Sequence, residues 1–230
     1  MRRIIKLFKK GNVCVTGLVG TGKDMLFANV VARRKKPYIS NTDYGGAYIP
    51  FDPSVVNIGN TYKNFINGNL NRYEYPYPDG VDFYLADCGV YFPAQYCNEL
   101  NRDFGYIATF MALIRHLGKS SFHVNCQNLN RIFDKLREQS DQYITCKWCK
   151  VICGIVIQRV IVYERYQSAV DRVPPFALSR PLLNADRVQQ WEIQRNNYLI
   201  AHGEVKPMLL IYRNKSKYNT RVFKEMLENA

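Results

Sequence analysis

The segment Gly17-Leu18-Val19-Gly20-Thr21-Gly22-Lys23 constrains this chain more than any other. Glycines at that spacing followed by lysine form a loop whose backbone N–H groups wrap a phosphate, with the lysine as a point charge for the terminal oxygens. A strand must deliver such a loop, and a helix must follow it, because the helix N-terminal amides complete the anion site. Both flanks are present. Asn12 to Thr16 is an apolar run closed by Gly17, the pattern of a buried strand. Lys23 to Arg34 carries apolar residues at 26, 27, 30 and 31 before a basic end, an amphipathic helix with cations at its negative pole. Gly17, Gly20, Thr21, Gly22, Lys23 and Asp24 are therefore the candidate phosphate-binding residues. Taken alone, the motif also fits a glycine turn with a surface lysine.

The alternation continues downstream. Pro37 stops the helix, and Tyr38-Ile39-Ser40 reads as a strand. Residues 41–80, rich in Asn, Gly, Pro and Tyr, read as an irregular insertion with a short helix near 60–67. Strands are expected at 81–87, 121–126, 142–146 and 151–163, and helices at 98–117, 130–139 and 185–201. Strand and helix in alternation predict an α/β fold with a mainly parallel central sheet flanked by helices. The expected division is a basic N-terminal arm (1–10), a nucleotide-binding domain (11–165) and a small helical C-terminal extension (166–230).

Charge narrows the partner. The chain has 32 Lys and Arg against 19 Asp and Glu, a net +13, which suits a polyanion. Hydrophobic residues at 47% and charged residues at 22% exclude a disordered or collagen-like chain. Seven scattered cysteines do not make a secreted disulfide framework, and several lie in apolar runs, so a reducing cytoplasmic compartment is expected. No signal peptide is visible, and the longest apolar run, Val151 to Tyr163, is too short to span a membrane and contains Gln158 and Arg159.

Hydrolysis of a nucleoside triphosphate needs more than the loop. The residue after the lysine is ordinarily Ser or Thr, whose hydroxyl ligates Mg²⁺; here it is Asp24, a carboxylate that could ligate the metal but also repels triphosphate. The acid behind the metal is expected at the end of a neighbouring strand, where Asp87 stands, followed by Cys88 rather than Glu. Gln127, at the end of the next strand, is placed either to sense the γ-phosphate or to cap the strand. Glu99 is a reserve base or a solvated helix residue.

The stretches GLVGTGK (17–23), LADCGVYF (85–92), IRHLGKSSFHVNCQ (114–127) and NRIFDKLREQSDQYITCKW (130–148) together resemble the zonular occludens toxin-like family. These are the assembly ATPases of filamentous phages, within the additional-strand P-loop class that also holds the HerA–FtsK DNA pumps. The resemblance covers about residues 11–165 and is strongest at Arg115, His116, Gly118 and Gln127. Asp24 and Ala86-Asp87-Cys88 depart from it. It implies ATP and Mg²⁺ as ligands, a homo-oligomeric ring, and Arg115 near the nucleotide or reaching a neighbouring subunit, with Arg131 and Arg137 as rivals. Family members often continue into a membrane span. Without one, the resemblance implies a motor in the host cytoplasm, with peripheral contact at the inner membrane open to it.

Three further patterns carry alternatives. Cys146, Cys149 and Cys153, with His123 or Cys126, could share a zinc ion, although strand character there favours buried free thiols. The basic and apolar residues of 2–10 fit an arm on acidic lipid or nucleic acid, or a flexible arm or first strand. Tyr73, Tyr75 and Tyr77 fit a base-stacking surface or a proline-pinned loop. The sequence therefore leads to a P-loop ATPase that moves phage or viral DNA. Its alternatives are a nucleotide-binding adaptor without turnover and a nucleotide kinase.

Overall fold

The computed structural model describes residues 3–9, 11–51, 77–88, 114, 119–127, 139–163 and 205–216. Its helices are α1 (Arg3–Leu7) and α2 (Lys23–Arg34), and its first strands are β1 (Val13–Thr16), β2 (Tyr38–Ser40), β3 (Tyr48–Pro50) and β4 (Asp82–Leu85). The later strands are β5 (Phe122–Cys126), β6 (Gln142–Ile152), β7 (Ile155–Tyr163) and β8 (Val205–Arg213). They form one sheet in the order β3-β2-β4-β5-β1-β6-β7-β8. Pairing is parallel from β3 through β6 and antiparallel across β6–β7 and β7–β8.

Burial follows that division. Every residue of β1 and β5 is buried, as expected of central parallel strands covered on both faces. Towards the hairpin turn burial alternates in β7 and β8, with Val156, Val160, Leu210 and Tyr212 turned into the core, while β7 ends in a fully buried run from Val160 to Tyr163. Leu26, Phe27, Val30 and Val31 of α2 pack on that same core, as their spacing predicts.

Several boundaries differ from the sequence reading. The N-terminal segment is neither a free arm nor a strand: α1 buries Ile4, Leu7 and the following Phe8. Phe8 meets the rings of Phe27 at 5.8 Å and His123 at 5.1 Å, both edge to face. The two strands expected at 142–146 and 151–163 are one long hairpin, turning at Cys153-Gly154. Within the 41–80 insertion, Tyr48–Pro50 is an edge strand, where proline is tolerated because its missing N–H faces no partner. The described part of the C-terminal extension is a strand, not a helix: β8 pairs with β7 along its length. Pro207 obscured it, yet β8 is a sheet edge and accommodates the ring. The helices expected at 98–117, 130–139 and 185–201 lie outside the described residues, apart from buried Ile114 and the end residue Gln139.

Buried Asn29 ties the C-terminal segment to α2. Its amide donates to Asn214 Oδ1 at 2.9 Å, and its carbonyl oxygen accepts from Lys215 N at 2.9 Å. At the C-terminal end of α2, Arg34 pairs with Asp82 of β4 and donates to the Phe8 carbonyl at 2.9 Å.

Candidate functional site

The loop leaves β1 at Gly17, whose N–H donates to the Gln127 carbonyl at 3.3 Å, and enters α2 at Gly22. Gly17, Gly20 and Gly22 have φ of 149°, 80° and 86°. The glycines are not equivalent. A Cβ on Gly17 would lie 2.5 Å from the Cys146 carbonyl oxygen, and one on Gly22 would lie 2.6 Å from Cys149 Cβ. Gly20 has open space and needs glycine for its backbone angle alone. Thr21 Oγ1 donates to the Leu18 carbonyl at 2.7 Å, and Lys23 Nζ donates to the same oxygen at 3.3 Å. Lys23 is buried in the loop, while Leu18 and Val19 at its crest are exposed. Among the described residues no side chain caps α2, whose first turn begins directly at the loop.

Asp24 and Asp87 meet at this helix end through Asn125. Asn125 Nδ2 donates to Asp24 Oδ1 at 2.8 Å, and Asn125 Oδ1 accepts from Asp87 N at 2.8 Å. A carboxylate only accepts and an amide N–H only donates, so these partners fix the orientation of the Asn125 side chain. Tyr44 OH donates to Asp24 Oδ1 at 3.4 Å. Asp87 lies two residues beyond β4, in the left-handed region at φ 47°. Asn41 holds the preceding residue from both sides, donating to the Ala86 carbonyl and accepting from its N–H, each at 2.8 Å. Partial loss of water raises the Asp87 carboxyl above its ordinary range; the Asp24 charge adds to this, and Lys23 opposes it.

The back of the loop rests on the hairpin and the last strand. Gln158 on β7 is fully buried and donates to the carbonyls of Thr21 at 3.2 Å and Gly22 at 3.0 Å. Tyr212 OH of β8 donates to Gln158 Oε1 at 3.0 Å. The Cys146 thiol, 3.3 Å from the Gln158 amide, is pushed up to about 12 by burial. It is a packing group beneath the loop, not a thiolate.

The structure thus brings Gly17, Gly20, Thr21, Gly22, Lys23, Asp24 and Asp87 to one sheet end. Gln127 is there too, its carbonyl bound to the loop and its side chain exposed. Arg115, His116, Gly118, Arg131, Arg137 and Glu99 lie outside the described residues, as do Tyr73 and Tyr75. Among the described residues no set of three His, Cys, Asp or Glu converges on a metal position. His123, considered for zinc, is buried between Phe8 and Tyr84. Asn125, Gln158, Tyr44 and Tyr212 were not read as site residues. The signal for the first two was an amide inside an apolar strand, where a buried polar group must have a partner.

A glycine loop and lysine between a central parallel strand and a helix define a P-loop NTPase fold. One strand, β5, stands between loop-bearing β1 and the β4 that leads to Asp87, the arrangement of the additional-strand class. No protein-family model matches the sequence, and no curated protein matches it. Among solved structures the chain is similar to the N-terminal domain of zonular occludens toxin from Neisseria meningitidis, at 12% identity over 93% of this chain and 97% of that one, TM-score 0.47. It is also similar to B204, the DNA-packaging ATPase from Sulfolobus turreted icosahedral virus, at 12% identity over 70% of this chain and 95% of that one, TM-score 0.42. A third is the genome packaging NTPase B204 of Sulfolobus turreted icosahedral virus 2 in complex with ATP-gammaS, at 15% identity over 59% and 73%, TM-score 0.39.

Proposed function

We propose that this chain binds ATP with Mg²⁺ in the Gly17–Lys23 loop and hydrolyses it as a motor on phage or viral DNA, in packaging, export or virion assembly. The observation that carries this reading is the bridge from Asp24 through Asn125 to Asp87 beside buried Lys23. A bare phosphate-binding turn has no use for a second acidic residue whose backbone is tied, through one amide, to the carboxylate of the first. The donor set fits the ligand. Uncapped α2 amides, Gly20, Gly22 and Lys23 suit the phosphate oxygens, and the hard oxygens of Asp24 and Asp87 suit Mg²⁺. When bound, the nucleotide and its cation supply the transferable phosphoryl group and the charge that neutralises it.

The residues then have separate tasks. Asp24 and Asp87 hold the cation, and its charge relieves their mutual repulsion. Gln127, on the exposed end of β5, orients water or senses the terminal phosphate. Arg115 completes the site of a neighbouring subunit in a ring, stabilising transition-state charge. The net charge of +13 supplies the sequence-independent attraction to DNA phosphates.

The test is phosphate release with ATP and Mg²⁺, with and without single- and double-stranded DNA, beside Lys23→Ala. DNA-stimulated turnover lost in Lys23→Ala supports the motor; absence of nucleotide binding by the parent chain overturns the whole reading. A second reading, a nucleotide-binding adaptor without turnover, is favoured by one observation. Asn125 and Tyr44 both engage Asp24 Oδ1, which leaves that carboxylate one oxygen fewer for a metal. Binding without turnover would select it.

A further inference from the structure

The β6–β7 hairpin ends in Val151, Ile152, Cys153, Gly154 and Ile155, every one exposed. Its turn has φ of 47° at Cys153 and 74° at Gly154. Two positive φ values in a two-residue hairpin loop are the signature of a type I′ turn, which favours Asn or Asp ahead of the glycine. Here that position carries cysteine. The tip therefore forgoes a polar residue where backbone geometry most favours one.

The exposed face behind the tip has a matching composition. Its first cross-strand row is Trp148, Arg159 and Leu209, and its second is Lys150, Ile157 and Ile211. The third, next to the turn, is Ile152, Ile155 and Arg213. Each row holds two apolar side chains and one cation, and the cation moves from strand to strand. Ile152 and Ile211 are 54% and 60% exposed. No Asp or Glu occurs anywhere in β6, β7 or β8. The opposite face, with Val156, Val160, Leu210 and Tyr212, is already used by the core.

We infer that this face and its tip form a docking surface for an anionic lipid bilayer, with the Val151–Ile155 turn entering the headgroup boundary. Charge complementarity selects the occupant. Lys150, Arg159 and Arg213 match a negative headgroup layer while the side chains between them reach apolar carbon. A second copy packed face to face would set these cations against their own counterparts, with no acid on the face to meet them. A nucleic acid would use Trp148 and the arginine planes for stacking but would leave the five aliphatic side chains of these rows unused. The surface lies on the reverse of the strands that support the phosphate loop through Gln158 and Tyr212, so the nucleotide site stays open while the sheet is docked.

The experiment is flotation of the full chain with vesicles of phosphatidylcholine and phosphatidylglycerol in about a two-to-one ratio, beside pure phosphatidylcholine. Binding to the mixed vesicles only is expected. Ile152→Ser with Ile211→Ser should weaken it by at least about tenfold, and Lys150→Glu by about fivefold or more. Cys153→Asn suits the turn and makes the tip polar, so it should weaken flotation without lowering the melting temperature. With Trp191→Phe removing the other tryptophan, brominated lipid should quench Trp148. No flotation with anionic vesicles, or flotation that these substitutions leave unchanged, overturns the proposal. So does a fall in sedimenting mass in Ile211→Ser without lipid, which would assign the face to a second copy. Loss of DNA binding in Lys150→Glu with flotation intact would assign it to nucleic acid.

Discussion

Asp24 stands where a phosphate loop ordinarily carries a hydroxyl, and Asn125 joins it to Asp87 through opposite ends of one buried amide. Asn125→Ala would leave the Asp87 N–H and an Asp24 oxygen short of a partner, at a cost of about 1–3 kcal/mol. Its expected outcome is a lower melting temperature together with weaker Mg²⁺-dependent nucleotide binding, read by thermal unfolding and nucleotide titration. Asp24→Thr restores the usual hydroxyl and removes a charge that opposes triphosphate. Phosphate release should rise several-fold over the parent, and unchanged or lower turnover would show that the carboxylate itself serves the metal. His123 raises a different issue. Both of its ring nitrogens are buried without a hydrogen bond, between Phe8 and Tyr84, and burial holds its pKa well below 6.5. A folded-state pKa below the unfolded value means that protonation favours unfolding. Stability is therefore full above about pH 6.5 and falls as pH drops below it, by up to about 1.4 kcal/mol per unit. His123→Phe should remove that dependence between about pH 6.5 and 5 and raise stability by about 1–3 kcal/mol, measured by denaturant unfolding across pH.

At the scale of elements, the phosphate loop depends on strands far from it in sequence. Gln158 of β7 binds the carbonyls of Thr21 and Gly22, and Tyr212 of β8 fixes the Gln158 amide. Gln158→Glu cannot donate to those carbonyls and would place a buried charge beneath the loop. It should weaken ATP binding more than Tyr212→Phe, which leaves the amide in place. Fluorescent-nucleotide titration orders the two, and equal effects would deny Gln158 its positioning role. The glycines sort in the same way. Gly22→Ala meets Cys149 as well as a strained backbone, whereas Gly20→Ala meets the strain alone, about 1–2 kcal/mol. Gly22→Ala should therefore be the less stable of the two by thermal unfolding.

For the whole molecule, the sheet is continuous from the β3 edge to β8. Removing residues 205–230 would uncover β7, strip Tyr212 from Gln158 and take Asn214 and Lys215 away from Asn29 of α2. The shortened chain should aggregate or lose its cooperative transition, and a folded, nucleotide-binding product would contradict this account. The +13 charge acts at the same scale. The affinity of the whole chain for DNA should fall steeply between low and physiological salt, with a log–log slope of about −0.9 per phosphate contact on duplex and −0.7 on single strands. Anisotropy titrations over a salt series measure it; a slope near zero would remove DNA as a charge-driven partner.

The loop, its strand and its helix were legible from Val13 to Arg34 because their requirements are local: glycine backbone angles, a lysine at fixed spacing and an apolar face of helical period. In sequence Asp87 reads as the last residue of a strand, and the structure puts it two residues beyond β4, at the same sheet end as the loop. What pairs with what was not legible. Nothing within 205–213 states that this strand closes the sheet beside β7, because Pro207 breaks the local pattern while pairing energy comes from residues over 40 positions away. Asn125 and Gln158 read as oddities in apolar strands, since a polar side chain's meaning lies in the groups it reaches. The N-terminal segment read as a basic arm because charge shows in sequence, whereas the core that buries Ile4, Leu7 and Phe8 exists only once α2 and β5 are in place. Sequence determined the chemistry of the phosphate loop, and tertiary structure decided which distant side chains hold it in shape.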